Sequence, residues 1–483
     1  MYLGIDLGTS GIRAILADAQ GRLHASAESA VKTSRPHPGW SEQDPSDWIS
    51  ACEAAIGSLK AMNANALSAV RGIGLSGQMH GATLLGADGN VLRPCIMWND
   101  TRSAEQAARL DQVADMREIS GNVVFPGFTA PKLVWLRENE PHVFAEVAKV
   151  LLPKDYIRFW LTAELVGDMS DCAGTSWLDV GQRAWSETAL DLTGMRSDQM
   201  PELVEGSESS GTLRAALCQR WGMAGSVVVA GGGGDNAAAA CGIGCLKEGA
   251  GFVSLGTSGV LLAARDAYAP APDTAVHTFC HAVPGRWYQM GVMLAATDCL
   301  NWLAAALGQS PADLANAVPD QIAGPQSTIF LPYLSGERTP HNDATIRGAF
   351  LGLGITTDQQ GLTRAVMEGV AFGLRDSFEA LRATGAELGH IMAVGGGARS
   401  EFWLSTLATV LNRPLHIPAD GEFGAAMGAV RLAICAAENA KPEDIMVMPA
   451  VQKTIEPRSN IIDAYSERYE KFRAAYPAIR GVM

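Results

Sequence analysis

The sequence predicts an α/β protein built from two related halves. Leu7-Gly8-Thr9-Ser10-Gly11 recurs half a chain later as Leu255-Gly256-Thr257-Ser258-Gly259. Short apolar runs flank both copies: Tyr2 to Ile5 and Ile12 to Leu16 around the first, Gly251 to Ser254 and Val260 to Ala264 around the second. That pattern spells strand, tight turn, strand. Along the rest of the chain, strand-like runs alternate with helical stretches, which indicates α/β layers.

In chain order, the first half opens with the 2–16 hairpin. Gly72-Ile73-Gly74-Leu75-Ser76-Gly77 has GxGxxG spacing, but Gln78-Met79-His80-Gly81 and another apolar run follow it. A dinucleotide site needs a helix there, so that reading fails. Insertions within about 100–225 make the first half the longer. Val227 to Ala230 run into Gly231 to Gly234, then Asp235-Asn236 and an Ala-rich helical stretch to Cys241. The boundary falls near Leu246, giving units 1–246 and 247–483. Later, Ile391 to Val394 run into Gly395 to Gly397 and a helix over 401–411. This reads as an echo of the Val227–Asp235 segment, and the two echoes together point to duplication. An amphipathic helix, about 461–476, ends the chain and is expected to pack across both halves.

Composition narrows the function. There are 37 Lys and Arg against 51 Asp and Glu, a net charge of −14, and no basic run. A nucleic-acid binder needs clustered cations. No stretch approaches the roughly 18 apolar residues of a membrane span. The start of the chain lacks the pattern of a signal peptide. Nine cysteines without a CxxC pair suit reduced, buried thiols and a cytoplasmic setting. His277 and His281 would lie about 13 Å apart on a strand, too far for one ion, and read as structural. HExxH, Walker A and GxSxG patterns are absent from the sequence.

Chemistry concentrates at the glycine turns. Gly8, Thr9 and Ser10, and Gly256, Thr257 and Ser258, offer backbone N–H groups and hydroxyls to phosphate oxygens. Asp6 precedes the first turn, whereas Ser254 stands at the matching place in the second. A nucleotide site with Mg²⁺ wants a carboxylate on one side only. Asp235 at a helix start fits an N-cap or a general base. Four glycines before it are costly in chain entropy, and close approach of a ligand is the expected reason.

These residues resemble the FGGY carbohydrate kinases: Asp6-Leu-Gly-Thr-Ser, the Gly231–Asp235 loop, Leu255–Gly259 and Gly395-Gly-Gly-Ala. Gly127 to Asn139, with Lys132 and Trp135, is similar to the family's first signature. Gly348-Ala-Phe-Leu-Gly-Leu and Ala365-Val-Met-Glu368 are similar to the second, with Gly361 departing from a polar position. The resemblance spans essentially the whole chain. It implies two actin-like (ribonuclease-H-like) domains around an ATP cleft. Gln78–Gly81, Trp98-Asn99-Asp100, Leu152–Tyr156 and Ser335–Pro340 look most like the branch that accepts D-xylulose. An Arg-Glu pair stands in glycerol kinases where this chain has Met79 and His80, which argues against glycerol.

The resemblance further implies ATP and Mg²⁺, with Asp6 holding the metal and Asp235 accepting the hydroxyl proton without need of a raised pKa. Met79, His80, Asp235 and Asn236 should touch the sugar, within the first domain. Gly396 and Gly397 should approach adenosine, with Gly424 closing the same pocket. Similar kinases commonly form homodimers. A kinase for another ketose or polyol, or an actin- or chaperone-like nucleotide switch, remains open.

Overall fold

The computed structural model describes residues 1–319, 323–419 and 423–482. Two sheets organise it. The first contains β1 (Tyr2–Leu7), β2 (Gly11–Ala17), β3 (Leu23–Ala30), β4 (Gly72–Gly77), β5 (Ser209–Thr212), β6 (Val228–Ala230) and the short β7 (Gly233–Gly234). Its order is β5-β6-β4-β1-β2-β3, with β7 also on β4. The second contains β8 (Gly249–Leu255), β9 (Gly259–Arg265), β10 (His277–Cys280), β11 (Trp287–Met293), β12 (Leu388–Val394), β13 (Leu415–Pro418) and β14 (Val451–Ile455). Its order is β10-β11-β9-β8-β12-β13-β14.

The duplication read from the Gly-Thr-Ser turns is present in the topology. β1-β2-β3 is an antiparallel meander, and β8-β9-β11 repeats it. β4 lies parallel to β1 and β6 parallel to β4, as β12 lies parallel to β8 and β13 to β12. An antiparallel strand closes each edge, β5 on β6 and β14 on β13. This corrects the second sequence echo. The strand before Gly395–Gly397 is β12, whose counterpart is β4, not β6. Glycine-rich runs had aligned two places that the sheets do not equate.

Side-chain alternation explains the layers. Leu3, Ile5, Ile12, Ala14 and Leu16 face the helix α1 (Pro45–Ser68), whose Trp48, Cys52, Ile56 and Leu59 complete that core. Tyr2, Ile15 and Ala17 face the opposite way. Along the first half, α2 (Pro153–Thr162) and α3 (Asp235–Ile243) follow; the second half supplies α4 (Gln359–Ala383), α5 (Glu401–Leu411), α6 (Ala425–Glu438) and α7 (Ile462–Arg480). α6 covers the Tyr2–Ile15 face of the first sheet with Ala426, Met427, Val430, Ala433 and Ile434. It sits so close that a Cβ at Gly74 would collide with the Ala429 carbonyl. α6 also crosses α3, where a Cβ at Gly428 would collide with the Ala238 carbonyl and one at Gly242 would come 2.5 Å from the Gly424 oxygen.

α7 departs from its expected place. Tyr465, Tyr469 and Phe472 pack into the second-half core around Phe372. Its polar contacts, such as Tyr469 Oη to Asp376 and Arg468 to the Ser327 carbonyl, stay in that half too. Among the described residues no helix is long and apolar enough to cross a membrane. All nine cysteines are free thiols, eight of them buried.

Candidate active site

The turn after β4, which carries Met79 and His80, touches the start of α3, where Gly234 leads into Asp235 and Asn236. Met79 is 4% exposed. A Cβ on Gly234 would come within 2.8 Å of its Cγ, and Tyr288 Oη lies 3.9 Å from its sulfur. His80 has φ +70°, a left-handed conformation rare outside glycine. Two buried donors hold it there: Lys132 Nζ reaches the His80 carbonyl at 2.7 Å and Thr129 Oγ1 at 3.1 Å. Burial pushes the Lys132 ammonium down to about 7.

The His80 ring stacks on Phe128 at 4.5 Å between centroids, with Nδ1 2.7 Å from the Gly174 carbonyl. Burial lowers its pKa to about 3, so the ring is neutral. A carbonyl only accepts, so Nδ1 carries the proton and Nε2 keeps a lone pair for a hydroxyl donor.

Asp235 is the first residue of α3; the N-cap is Gly234. Its Oδ1 accepts from the Asn236 backbone N at 2.7 Å and from Asn236 Nδ2 at 2.9 Å. Burial, with a smaller contribution from the charge of Asp6, raises its pKa to about 6 against the pull of those two donors.

The glycines ahead of Asp235 pack closely against the protein itself. Gly232 has φ +76° and runs so close to β4 that a Cβ would meet the Leu75 carbonyl, while Gly234 makes room for Met79. Beneath the loop lies a buried ionic cluster. Lys154 Nζ is 2.5 Å from Asp155, 2.5 Å from Asp168 and 3.3 Å from Asp171, and Arg158 is 2.9 Å from Asp155. The three carboxylates converge as a cation site would, but the Lys154 ammonium already fills that role. Burial raises the Asp171 carboxyl well above the usual range. The cluster holds the loop through Arg158, which donates to the Gly231 carbonyl, and through Ser170, whose Oγ accepts from Gly234 N at 3.2 Å.

At the first hairpin, Asp6, Gly8 and Ser10 line a cavity of about 360 Å³ with Arg13. Arg13 is the partner of Asp6 in the β1–β2 register. Gly8 N donates to the Gly11 carbonyl at 2.9 Å. The Thr9 side chain departs from expectation: its hydroxyl donates to Gln78 Oε1 at 3.0 Å and accepts from Trp98 Nε1 at 3.0 Å. In the second hairpin the Gly256 carbonyl accepts from Thr297 N at 2.9 Å, and Thr257 and Ser258 are exposed at the tip.

Gly396 and Gly397 line a cavity of about 840 Å³ with Thr297, Asn301 and Trp403. Gly424 is not in it. It lines a neighbouring cavity of about 590 Å³ with Asn236, Ser254 and Gly395. A Cβ on Gly396 would meet nothing within 4 Å, whereas one on Gly395, at φ +92°, would lie 2.7 Å from the Leu255 carbonyl.

The walls around the Met79–His80 turn come from both halves, Phe128 from the first and Phe279 and Tyr288 from the second. His277 stacks on Phe279 and packs against Phe125 and Phe128. Arg338 lies 4.0 Å over the Phe125 ring, 3.4 Å from His277 Nε2. From sequence, His277 reads as a structural residue and Arg338 carries no role. A half-buried arginine beside two histidines is visible only once β10 is docked.

The chain matches the FGGY family of carbohydrate kinases, N-terminal domain, over residues 1–242 and the C-terminal domain over 251–437. It is 46% identical over 492 residues to the xylulose kinase of Escherichia coli K12, covering 100% of both chains. Among solved structures it is similar to a xyloylose kinase from Brucella ovis, at 55% identity, TM-score 0.98 and 100% coverage of both chains. It is also similar to a gluconate kinase from Lactobacillus acidophilus, at 25% identity and TM-score 0.91, covering 99% of this chain and 97% of that one.

Proposed function

The chain belongs to the FGGY family of carbohydrate kinases, and from that premise we propose that it transfers the γ-phosphoryl group of ATP to a terminal hydroxyl of D-xylulose, giving D-xylulose 5-phosphate. It is an ATP-dependent sugar kinase with two actin-like domains around a cleft, here taken as 1–246 and 247–483. One observation carries the finer reading: Asp235 stands at the head of α3, against the Met79–His80 turn on one side and within electrostatic reach of Asp6 on the other. The neighbouring gluconate kinase has nearly the same backbone, so side chains, not the fold, choose the sugar.

In this reading His80 Nε2 accepts a hydrogen bond from one sugar hydroxyl, and Asn236 Nδ2 steadies the carboxylate of Asp235. Asp235 takes the proton of the attacking hydroxyl and aims its oxygen along the line of displacement. Phosphoryl transfer passes through a loose transition state, so positioning carries much of the work. A pKa near 6 leaves Asp235 ionised at neutral pH and still able to hold a proton once the P–O bond forms.

Gly8, Ser10 and the backbone of Thr9 line the phosphate path from one half, with Gly256, Thr257 and Ser258 from the other. The adenosine sits against Gly396 and Gly397 in the larger cavity. The Asp6 carboxylate is a hard oxygen donor at the mouth of the hairpin, which fits Mg²⁺ bound through one protein carboxylate and phosphate oxygens. When bound, Mg²⁺ neutralises charge on the phosphates. The reading includes a cytoplasmic, homodimeric enzyme.

The test is ADP release by coupled assay with Mg-ATP across D-xylulose, L-xylulose, D-ribulose, L-ribulose, glycerol and no sugar. Selective turnover with D-xylulose is expected. Faster turnover with another acceptor moves the specificity, and equal rates with and without every sugar leave a nucleotide switch instead.

A further inference from the structure

A chain of side-chain hydrogen bonds joins the Gly8–Ser10 turn to the Met79–His80 turn, and donor-only groups fix its direction. An indole N–H can only donate. Trp48 Nε1, 2.8 Å from Gln43 Oε1, therefore makes that oxygen an acceptor. Gln43 Nε2 then faces the Thr9 carbonyl at 2.7 Å and Thr33 Oγ1 at 2.9 Å. Gln43 Oε1 also receives Gln78 Nε2 at 3.0 Å, so all four of its hydrogen-bonding places are filled. This orients the Gln78 amide and leaves Gln78 Oε1 to accept the one hydroxyl proton of Thr9. Trp98 Nε1 donates to the same hydroxyl oxygen. The Thr9 side chain thus has no proton left for a phosphate.

Gln43 and Gln78 are 1% and 3% exposed, and Gln78 N is pinned to the Leu7 carbonyl at 2.9 Å. A buried amide with every partner met resists rearrangement, because each lost bond leaves an unsatisfied group.

We propose that Gln43 and Gln78 are positioning residues that lock the phosphate turn to the sugar turn through the Thr9 hydroxyl, so that a ligand ordering either turn orders the other. This rests on the reading above of which turn faces which substrate. Coupling through one shared unit is reciprocal: the sugar tightens the nucleotide by the same factor as the nucleotide tightens the sugar.

The experiment is calorimetric titration of the full chain with a non-hydrolysable Mg-ATP analogue, with and without saturating D-xylulose. The variants are Gln78→Met, Thr9→Val, Thr9→Ser and the double variant Thr9→Val/Gln78→Met. In the wild type, D-xylulose should tighten the analogue about tenfold. That factor should fall to near one in Gln78→Met and in Thr9→Val, return in Thr9→Ser, and be no smaller in the double variant than in either single. The Thr9 pair decides the matter even if Gln78→Met fails to fold, because Thr9 is not in the core.

No coupling in the wild type, or full coupling in Thr9→Val, overturns the proposal. So does a Thr9→Val variant that loses nucleotide affinity while Gln78→Met keeps both affinity and coupling, since Thr9 would then serve the phosphate directly. A wild-type protein that phosphorylates another sugar and does not bind D-xylulose fails the specificity reading instead; the same titrations with that sugar then decide the relay.

Discussion

Asp235 is held between opposing influences: burial and the charge of Asp6 favour its proton, and the two donors of Asn236 favour its charge. The balance near 6 has two measurable consequences. The kcat/KM for the sugar should rise with pH along a limb centred near 6 and level off above it. Stability should run the other way. A carboxyl whose folded pKa is raised binds more protons folded than unfolded, so its contribution is full below about pH 4 and lost as pH climbs through about 6. Asp235→Asn should therefore melt higher than the wild type at pH 8 and lose that advantage toward pH 4, by calorimetry at each pH. The same variant should lower kcat by about 10²- to 10⁴-fold. A loss under tenfold with intact folding would reduce Asp235 to a structural residue. His80→Ala removes the Nε2 acceptor, so the KM for the sugar should rise while that for ATP stays nearly constant, in steady-state assays varying each substrate.

At the scale of elements, the two hairpins were legible because a five-residue turn recurs between apolar runs. The strand–loop–helix pairing was not, because it rested on glycine runs, and glycines are selected for different reasons in different places. Gly232 yields to the Leu75 carbonyl, Gly395 to Leu255, and Gly396 to open space. The Met79–His80 turn and the Gly234–Asp235 helix start, far apart in sequence, are brought against each other by β4 and β7, which pair in the first sheet. His277, Arg338 and Tyr288 escaped because only the docking of β10 and β11 brings them against Met79 and the Phe125 wall beside the turn. The α3–α6 crossing makes its own prediction. A Cβ at Gly428 would meet the Ala238 carbonyl, so Gly428→Val must push α3 aside and Asp235 with it. Thermal stability should fall by about 1–3 kcal/mol, and kcat should fall in the protein that remains folded.

Across the whole molecule, in the proposed function, both sheets contribute turns to the nucleotide path and both halves wall the sugar side, so catalysis would call for the halves to draw together. Closure excludes water, the competing phosphoryl acceptor. ATP hydrolysis without sugar should be slow and should rise when a xylulose analogue lacking the accepting hydroxyl is added. An unchanged rate would count against coupling of closure to chemistry.

The placement of α6 bears on how such a chain can be taken apart. Residues 425–438 lie in the second half of the sequence but roof the first sheet. A polypeptide ending at 246 would leave Tyr2, Ile15 and Ala17 open to solvent, with a glycine-paved floor built to receive a helix. Expressed alone it should be recovered as aggregate. Co-expressed with 247–483 it should be rescued into a soluble, catalytically active heterodimer, because the second fragment carries the missing roof. The repeated halves are thus not interchangeable cassettes: the first copy has come to depend on a piece of the second.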